Sequence, residues 1–256
     1  MSKQAEPQRG PNFVQTREER LRKLLSRDVR LRVDGEVSDL WARMGSPKNA
    51  QPGGLDRHIR FQNIPADHID AISERLLEKG GCEAMILGPG RGDDIPLMVD
   101  EVRKNLTARG AEGSLDNLRI DVFGLTKKLK EKAAAVVRDD YSSADKPVPF
   151  EFYENPSLVG RYDVVVDLYG VAAKSHYPHH IIAKEADMLA PGGVAYVEAN
   201  LGHGTYAGLD AEGKIDHVKK LCEGFWAQKR KDRRYRMTHT RPADRKEDWF
   251  IVEREA

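Results

Sequence analysis

The chain predicts an α/β fold: a mostly parallel sheet with helices on both faces. Three observations carry that reading. Apolar strand-like runs and amphipathic helix-like runs alternate from about residue 65 onward, the pattern that joins parallel strands through crossover helices. The run YDVVVDLY at 162–169 is apolar at almost every position, as a strand covered on both faces requires. The run EAMIL at 83–87 stops abruptly at three glycines in alternate positions, Gly88, Gly90 and Gly92.

The elements follow in order. Residues 1–60 form an extension, with a disordered start, a short amphipathic helix around Leu21, Leu24 and Leu25, a small strand pair turning at Asp34-Gly35, and a Gly/Pro-rich loop at 45–55 suited to a lid hinge. Trp41 in this part is a packing anchor or a lid residue. Residues 61–256 form the main domain. PADHIDAISERLLEKG opens with Pro65 near a helix start and places Ile69, Ile72, Leu76 and Leu77 on one face. EAMIL is the first strand. DDIPLMVDEVRKNLTARG is a helix in which Pro96 is tolerable only in the first turn. LRIDVF is the second strand, TKKLKEKAAAVVRDD the second crossover helix, and VPFEFYE at 148–154 the third strand. YDVVVDLY is the fourth strand, HHIIAKEADML a helix, APGG a turn and VAYVEAN the fifth strand. IDHVKKLCEGFWAQKR is a helix, and RYRMTHT and DWFIVERE pair as a closing hairpin that sets one antiparallel strand among the parallel ones.

Composition narrows the function classes. The chain has 256 residues, 39% hydrophobic, enough for one substantial core. No apolar run approaches the roughly 20 residues of a membrane helix, and MSKQAEPQRGPNF has no apolar core of the secretory kind. Two cysteines, Cys82 and Cys222, argue against a disulfide framework and for a cytoplasmic setting. The net charge of +1 conceals an uneven distribution. Lys+Arg outnumber Asp+Glu 13 to 8 in residues 1–60 and again in 214–256, leaving 16 against 25 between them. Basic ends can attract nucleic acid or another polyanion, although the interspersed acids also suit a plain solvated surface.

The glycines have a physical purpose. Ligands of open α/β sheets bind beyond the carboxyl ends of the strands. A turn without Cβ atoms there lets the backbone approach a ligand while the amides of the next helix face it. The spacing G-x-G-x-G is not the nicotinamide fingerprint, because Asp93 stands where Gly or Ala belongs. That disfavours a nicotinamide-dependent oxidoreductase. No Lys-Ser/Thr pair follows to make a nucleotide-phosphate loop.

ILGPGRGDD resembles the first motif of class I S-adenosylmethionine-dependent methyltransferases, YDVVVDLYG resembles their fourth, and ADMLAPGGVAYVE is similar to the helix, turn and fifth strand that follow. The resemblance covers about residues 65–256. It implies a Rossmann-like methyltransferase fold, a mostly parallel seven-stranded sheet with an antiparallel C-terminal strand, and S-adenosylmethionine as cofactor. Carried over position by position, it puts Gly88, Pro89, Gly90 and Gly92 in the cofactor loop, Glu154 and Asn155 at the adenine, and Asp167 and Tyr169 at the end of the fourth strand facing the methyl group. Two positions depart from the family. Ile86 replaces an acid before the first glycine. The second strand ends near Gly124 rather than at an acid, which leaves Asp93 or Asp121 to hold the ribose.

Beyond that strand, KSHYPHH places His176, His179 and His180 at the rim. His176 is a general-base candidate near neutral pH, alongside the simpler reading of solvated or capping histidines. Histidines clustered without an acid make a poor metal signature. Asp167 either faces the acceptor or satisfies local amides. No Asp-Pro-Pro-Tyr motif follows the fourth strand, and Glu198 stands where ribose methyltransferases need a lysine. The acceptor is therefore not identified. WAQKRKDRRYRMTHTR at 226–241 mixes seven basic residues with Trp226 and Tyr235, suited to nucleic acid or to a charged edge strand. Two functions stand out: methyl transfer with Asp167, Tyr169 and His176 toward the acceptor, or a silent methyltransferase-fold scaffold that contacts nucleic acid through 214–246 and the N-terminal extension.

Overall fold

The computed structural model describes residues 67–89, 94–123, 137–140, 153, 155–168, 170–175, 177–202, 206, 208–241 and 248–256. The expectations for the N-terminal extension, Trp41 and Asp93 lie outside these residues. Helix α1 (Asp67–Lys79) leads into β1 (Cys82–Leu87) and α2 (Asp94–Ala108). Strands β2 (Leu118–Phe123), β3 (Val137–Asp140) and β4 (Tyr162–Asp167) follow, then α3 (Pro178–Asp187) and β5 (Leu189–Ala199). Helix α4 (Ala211–Lys229) and the hairpin β6 (Tyr235–Thr240) and β7 (Asp248–Arg254) complete the order.

The seven strands lie in the order β3-β2-β1-β4-β5-β7-β6. Strands β1 to β5 pair in parallel, and β7 is antiparallel to both β5 and β6. This is the Rossmann-like, mostly parallel seven-stranded sheet expected from the sequence. The strand period sends alternate residues to opposite faces. Met85, Leu87 and Val165 pack with Ile182 and Ala186 of α3 and Val218 and Phe225 of α4. Ala84, Ile86, Val164 and Val166 pack with Ile72 and Leu76 of α1 and Met98 and Val102 of α2 on the other side.

Four local readings change, the first being that the APGG segment expected as a turn lies within β5 (Leu189–Ala199). Leu77 is 37% exposed, while Ser73 is buried and donates its hydroxyl to the Ile69 carbonyl at 2.8 Å. At 100° per residue, 73 lies closer than 77 to the face of 69, 72 and 76, and the back-bonded hydroxyl makes its burial tolerable. The third strand is Val137–Asp140, which reads as a helix end in the sequence, and it pairs with β2 around a bulge. The expected third strand at 148–154 lies outside the described residues except Tyr153, which is helical and buried. Finally, α4 starts four residues earlier than its apolar pattern, because Asp210 caps it by accepting from Gly213 N at 2.7 Å. Asp210→Ala is expected to cost about 1 kcal/mol in a urea melt.

Candidate functional site

The sheet order reverses between β1 and β4, and the crevice beyond the carboxyl ends of such strands is where open α/β sheets bind ligands. Leu87 pairs with Asp167 at this edge, and both strands end there. Gly88 turns the chain with φ at +64° and donates its amide to the Phe123 carbonyl at 2.7 Å. A Cβ on Gly88 would lie 2.5 Å from the Gly170 Cα. A Cβ on Gly170 would collide with Asp167 Oδ1 and come within 2.7 Å of the Leu87 carbonyl. Two bare backbones therefore touch at the sheet edge. At Gly88 both the positive φ and the missing Cβ are required by the protein itself. Pro89 is buried beside it, while Gly90 and Gly92 lie outside the described residues.

Asp167 ends β4 fully buried. Its two oxygens accept from Val171 N at 2.9 Å and Ala172 N at 2.8 Å, which closes the turn that carries Gly170. It thus performs the backbone-satisfying role weighed for it above. Burial pushes its carboxyl up to about 6, against the opposing pull of the neighbouring Glu185 and of the two amides. Glu185 of α3 is also fully buried and raised well above the usual carboxylate range, by burial first and then by Asp167. Tyr153 donates its hydroxyl to Glu185 Oε1 at 2.9 Å.

Asp121, a possible ribose acid in the sequence reading, lies within β2 rather than at its end, with no exposed surface. Arg138 of β3 spans its carboxylate at 3.0 and 2.8 Å and reaches on to Glu83 of β1 at 2.8 and 3.0 Å. Arg161 lies 3.0 Å from Asp121 Oδ2, and the Tyr162 hydroxyl donates to the same oxygen at 2.7 Å. The Arg138 hydrogen bonds hold the Glu83 carboxyl below its usual range. Here Asp121 anchors four consecutive parallel strands through charge-assisted bonds. Residues 124–136, which follow β2 and include Gly124, lie outside the described residues.

The adenine position assigned to Glu154 and Asn155 assumed that the third strand ends at 154. Because β3 ends at Asp140, that premise shifts upstream. Asn155 caps a 3-10 turn at Pro156–Leu158, accepting from Ser157 N at 3.0 Å and Ser157 Oγ at 2.8 Å. Glu154, Tyr169 and His176 lie outside the described residues. His179 and His180 do not line a rim: both are buried in the first turn of α3. His179 Nδ1 is hydrogen-bonded with the Tyr206 hydroxyl at 2.5 Å, and burial keeps its imidazole neutral. His180 sets its ring edge-on to Phe225. No group of three or more metal-ligating side chains gathers among the described residues.

The basic C-terminal segment uses most of its chemistry internally. Trp226 stacks on Tyr235 with centroids 4.6 Å apart. Arg230 binds Asp187 at 2.7 Å, Arg236 binds Glu253, and Arg241 and His239 converge on the buried Asp248. Those pairs hold the Asp248 carboxyl below its usual range despite burial. The aromatic rings that would stack on bases are thus packed. No helix among the described residues is long and apolar enough to cross a membrane.

Sequence reasoning passed over Gly170, Glu185 and Tyr153. Gly170 had a signal, since it closes the run DLYG at the strand end. Glu185 had another: it is an acid within the run HHIIAKEADML read as a helix against the sheet, where buried acids occur almost only with partners.

No protein-family model and no curated protein matches the chain. Among solved structures, the fibrillarin pre-rRNA processing protein of Methanococcus jannaschii is similar at 13% identity over 69% of this chain and 67% of its own, with a TM-score of 0.44. The O-methyltransferase TomG of Streptomyces achromogenes, involved in tomaymycin synthesis and solved with SAM, is similar at 12% identity over 79% and 88%, with a TM-score of 0.44. An O-methyltransferase from Bacillus cereus, solved with SAH, is similar at 9% identity over 75% and 81%, with a TM-score of 0.45.

Proposed function

We propose that the chain transfers a methyl group from S-adenosylmethionine to an acceptor. One observation carries the reading: the glycine turn after β1 stands where the strand order reverses, beside the turn that ends β4. The described rim of that crevice is main chain, Gly88 and Gly170, with no side chain projecting from either. Gly88, Pro89, Gly90 and Gly92 would hold the cofactor, which when bound supplies an electrophilic methyl carbon. The turn held by Asp167 orients the far wall, and Tyr169 and His176 face the acceptor, His176 as the base that takes its proton.

A second reading has its own support. The contact with Gly170 accounts for the glycine at 88 without any ligand, as it would in a silent scaffold of the same fold. Such a scaffold would contact nucleic acid through the extension and through the exposed Lys229, Lys231 and Arg234.

Calorimetry with S-adenosylmethionine and S-adenosylhomocysteine separates the two. Methyl transfer expects saturable binding of both, abolished by Gly90→Leu. Absence of binding, together with salt-dependent capture of RNA, would reject the enzyme in favour of the scaffold.

A further inference from the structure

The run RKDRR at 230–234 sets four cations around one acid. It lies at the edge of the sheet opposite the crevice, where β5 starts at Leu189, β6 starts at Tyr235 and β7 ends at Arg254. Arg233 and Arg234 of this run line an open cleft of about 290 Å³ with Arg254, Asp232 and Glu255, and Pro191 and the exposed Ala256 complete its wall.

Arg254 has an unusual seat. Other half-buried arginines of this chain meet carboxylates directly: Arg138 meets Glu83 at 2.8 Å, Arg161 meets Asp121 at 3.0 Å, Arg230 meets Asp187 at 2.7 Å and Arg241 meets Asp248 at 2.9 Å. Arg254, also half-buried, meets no carboxylate among the described residues. Its Nη1 donates to the Leu189 carbonyl at 2.7 Å. The same nitrogen would stand 3.3 Å from a Cβ on Gly160, whose φ is +71°. A residue without a side chain therefore leaves room for the guanidinium. Of the five N–H donors that a guanidinium carries, this one commits a single donor to the protein.

Arg233 is similarly underused. Its side chain is 16% exposed. Nη1 donates to the Asp187 carbonyl at 3.3 Å and stays 4.0 Å from the Asp187 carboxylate. Nε lies 3.6 Å from Asp232 and has no hydrogen-bond partner. Arg234, exposed at the mouth, is 4.0 Å from Glu255. The two acidic side chains of the cleft, Asp232 and Glu255, are 78% and 60% exposed. Water screens charges placed there. Neither hydrogen-bonds to any of the three guanidiniums.

We propose that this cleft binds a phosphate group, with Arg254 and Arg233 as its inner donors and Arg234 at the mouth. A planar guanidinium fork matches phosphate oxygens two at a time. A phosphate also brings three acceptor oxygens and up to two charges, where a carboxylate brings two oxygens and one charge. The volume is at the small end of ligand clefts, about 300–1,000 Å³, and so suits an anionic head rather than a whole cofactor. The phosphate belongs either to a free phosphorylated compound or to a nucleic-acid strand. The site is separate from the glycine crevice, so the inference goes beyond both readings of function above and rests on neither.

The test is calorimetric titration at low salt, with inorganic pyrophosphate and with a short single-stranded RNA as the two probes. At least one probe is expected to bind saturably. Arg254→Gln, which keeps a donor for the Leu189 carbonyl, and Arg233→Gln should each weaken that binding by about tenfold or more. Arg109→Gln removes the same charge from an exposed position after α2 and should change it by less than about twofold. Binding of pyrophosphate alone assigns the cleft to a free phosphorylated compound. Tighter binding of RNA, lost in both cleft variants, assigns it to a strand. Absence of saturable binding of either probe overturns the proposal. So do equal losses in all three variants, or binding that neither cleft variant weakens. Nuclear magnetic resonance of the wild-type chain makes the test independent of how the variants fold. The bound probe should shift the amide signals of residues 233, 234, 254 and 255, and shifts confined to other residues overturn the site.

Discussion

Gly88→Ala is expected to destabilise the chain by roughly 2–5 kcal/mol, combining the cost of a side chain in left-handed backbone with that of forcing a methyl into packed atoms. The backbone there has φ at +64°, and the new Cβ would stand 2.5 Å from the Gly170 Cα. Gly170 cannot retreat cheaply. Its own neighbours are Asp167 Oδ1 and the Leu87 carbonyl, both fixed by strand pairing and by the turn amides. For a domain of this size the melting temperature should fall on the order of 10 °C. A melt within a degree or two of the wild type would mean that the two turns do not meet as described. The same variant bears on the choice between enzyme and scaffold, because its effect on stability is expected in either case and its effect on adenosyl binding only in the first.

Asp121→Ala is the second large effect, about 3–5 kcal/mol, the range found when one member of a buried ion pair is removed. It deprives Arg138, Arg161 and the Tyr162 hydroxyl of a shared acceptor in a place with no exposed surface. Asp121→Asn keeps the shape and loses the charge, so a smaller loss of about 1.5–3 kcal/mol is expected in a denaturant melt. If Asp121→Asn left the melt unchanged and weakened adenosyl binding instead, Asp121 would return to the ribose role that its sequence position suggested.

These two residues show where the sequence is legible and where it is not. The glycine turn, the mostly apolar fourth strand and the closing hairpin are readable because each rests on a local rule: missing side chains, double-sided burial, alternation. The third strand is not readable that way. AAAVVRDD has the composition of a helix end, and Val137–Asp140 is held as an edge strand by Arg138 reaching across to Asp121 and Glu83. Those partners are 17 and 55 residues away. Asp121 misleads for the same reason: an acid near a strand end looks like a ligand contact until the arginines that surround it come into place. Glu185 hides among apolar neighbours, and only the fold reveals that Asp167 lies opposite. The histidine-rich stretch shows the converse, since His179 and His180 look functional in sequence and are packed in the core.

The placement of β7 between β5 and β6 has a consequence for biosynthesis. As the ribosome delivers the chain, β1 to β5 emerge first, and β5 waits with one flank of amides and carbonyls unmatched. Its neighbour in the finished sheet is not the segment that emerges next but the later of the two hairpin arms. A nascent chain halted anywhere before Asp248 thus offers a sticky border to other nascent chains. Folding should become resistant to aggregation only when the last arm slots in.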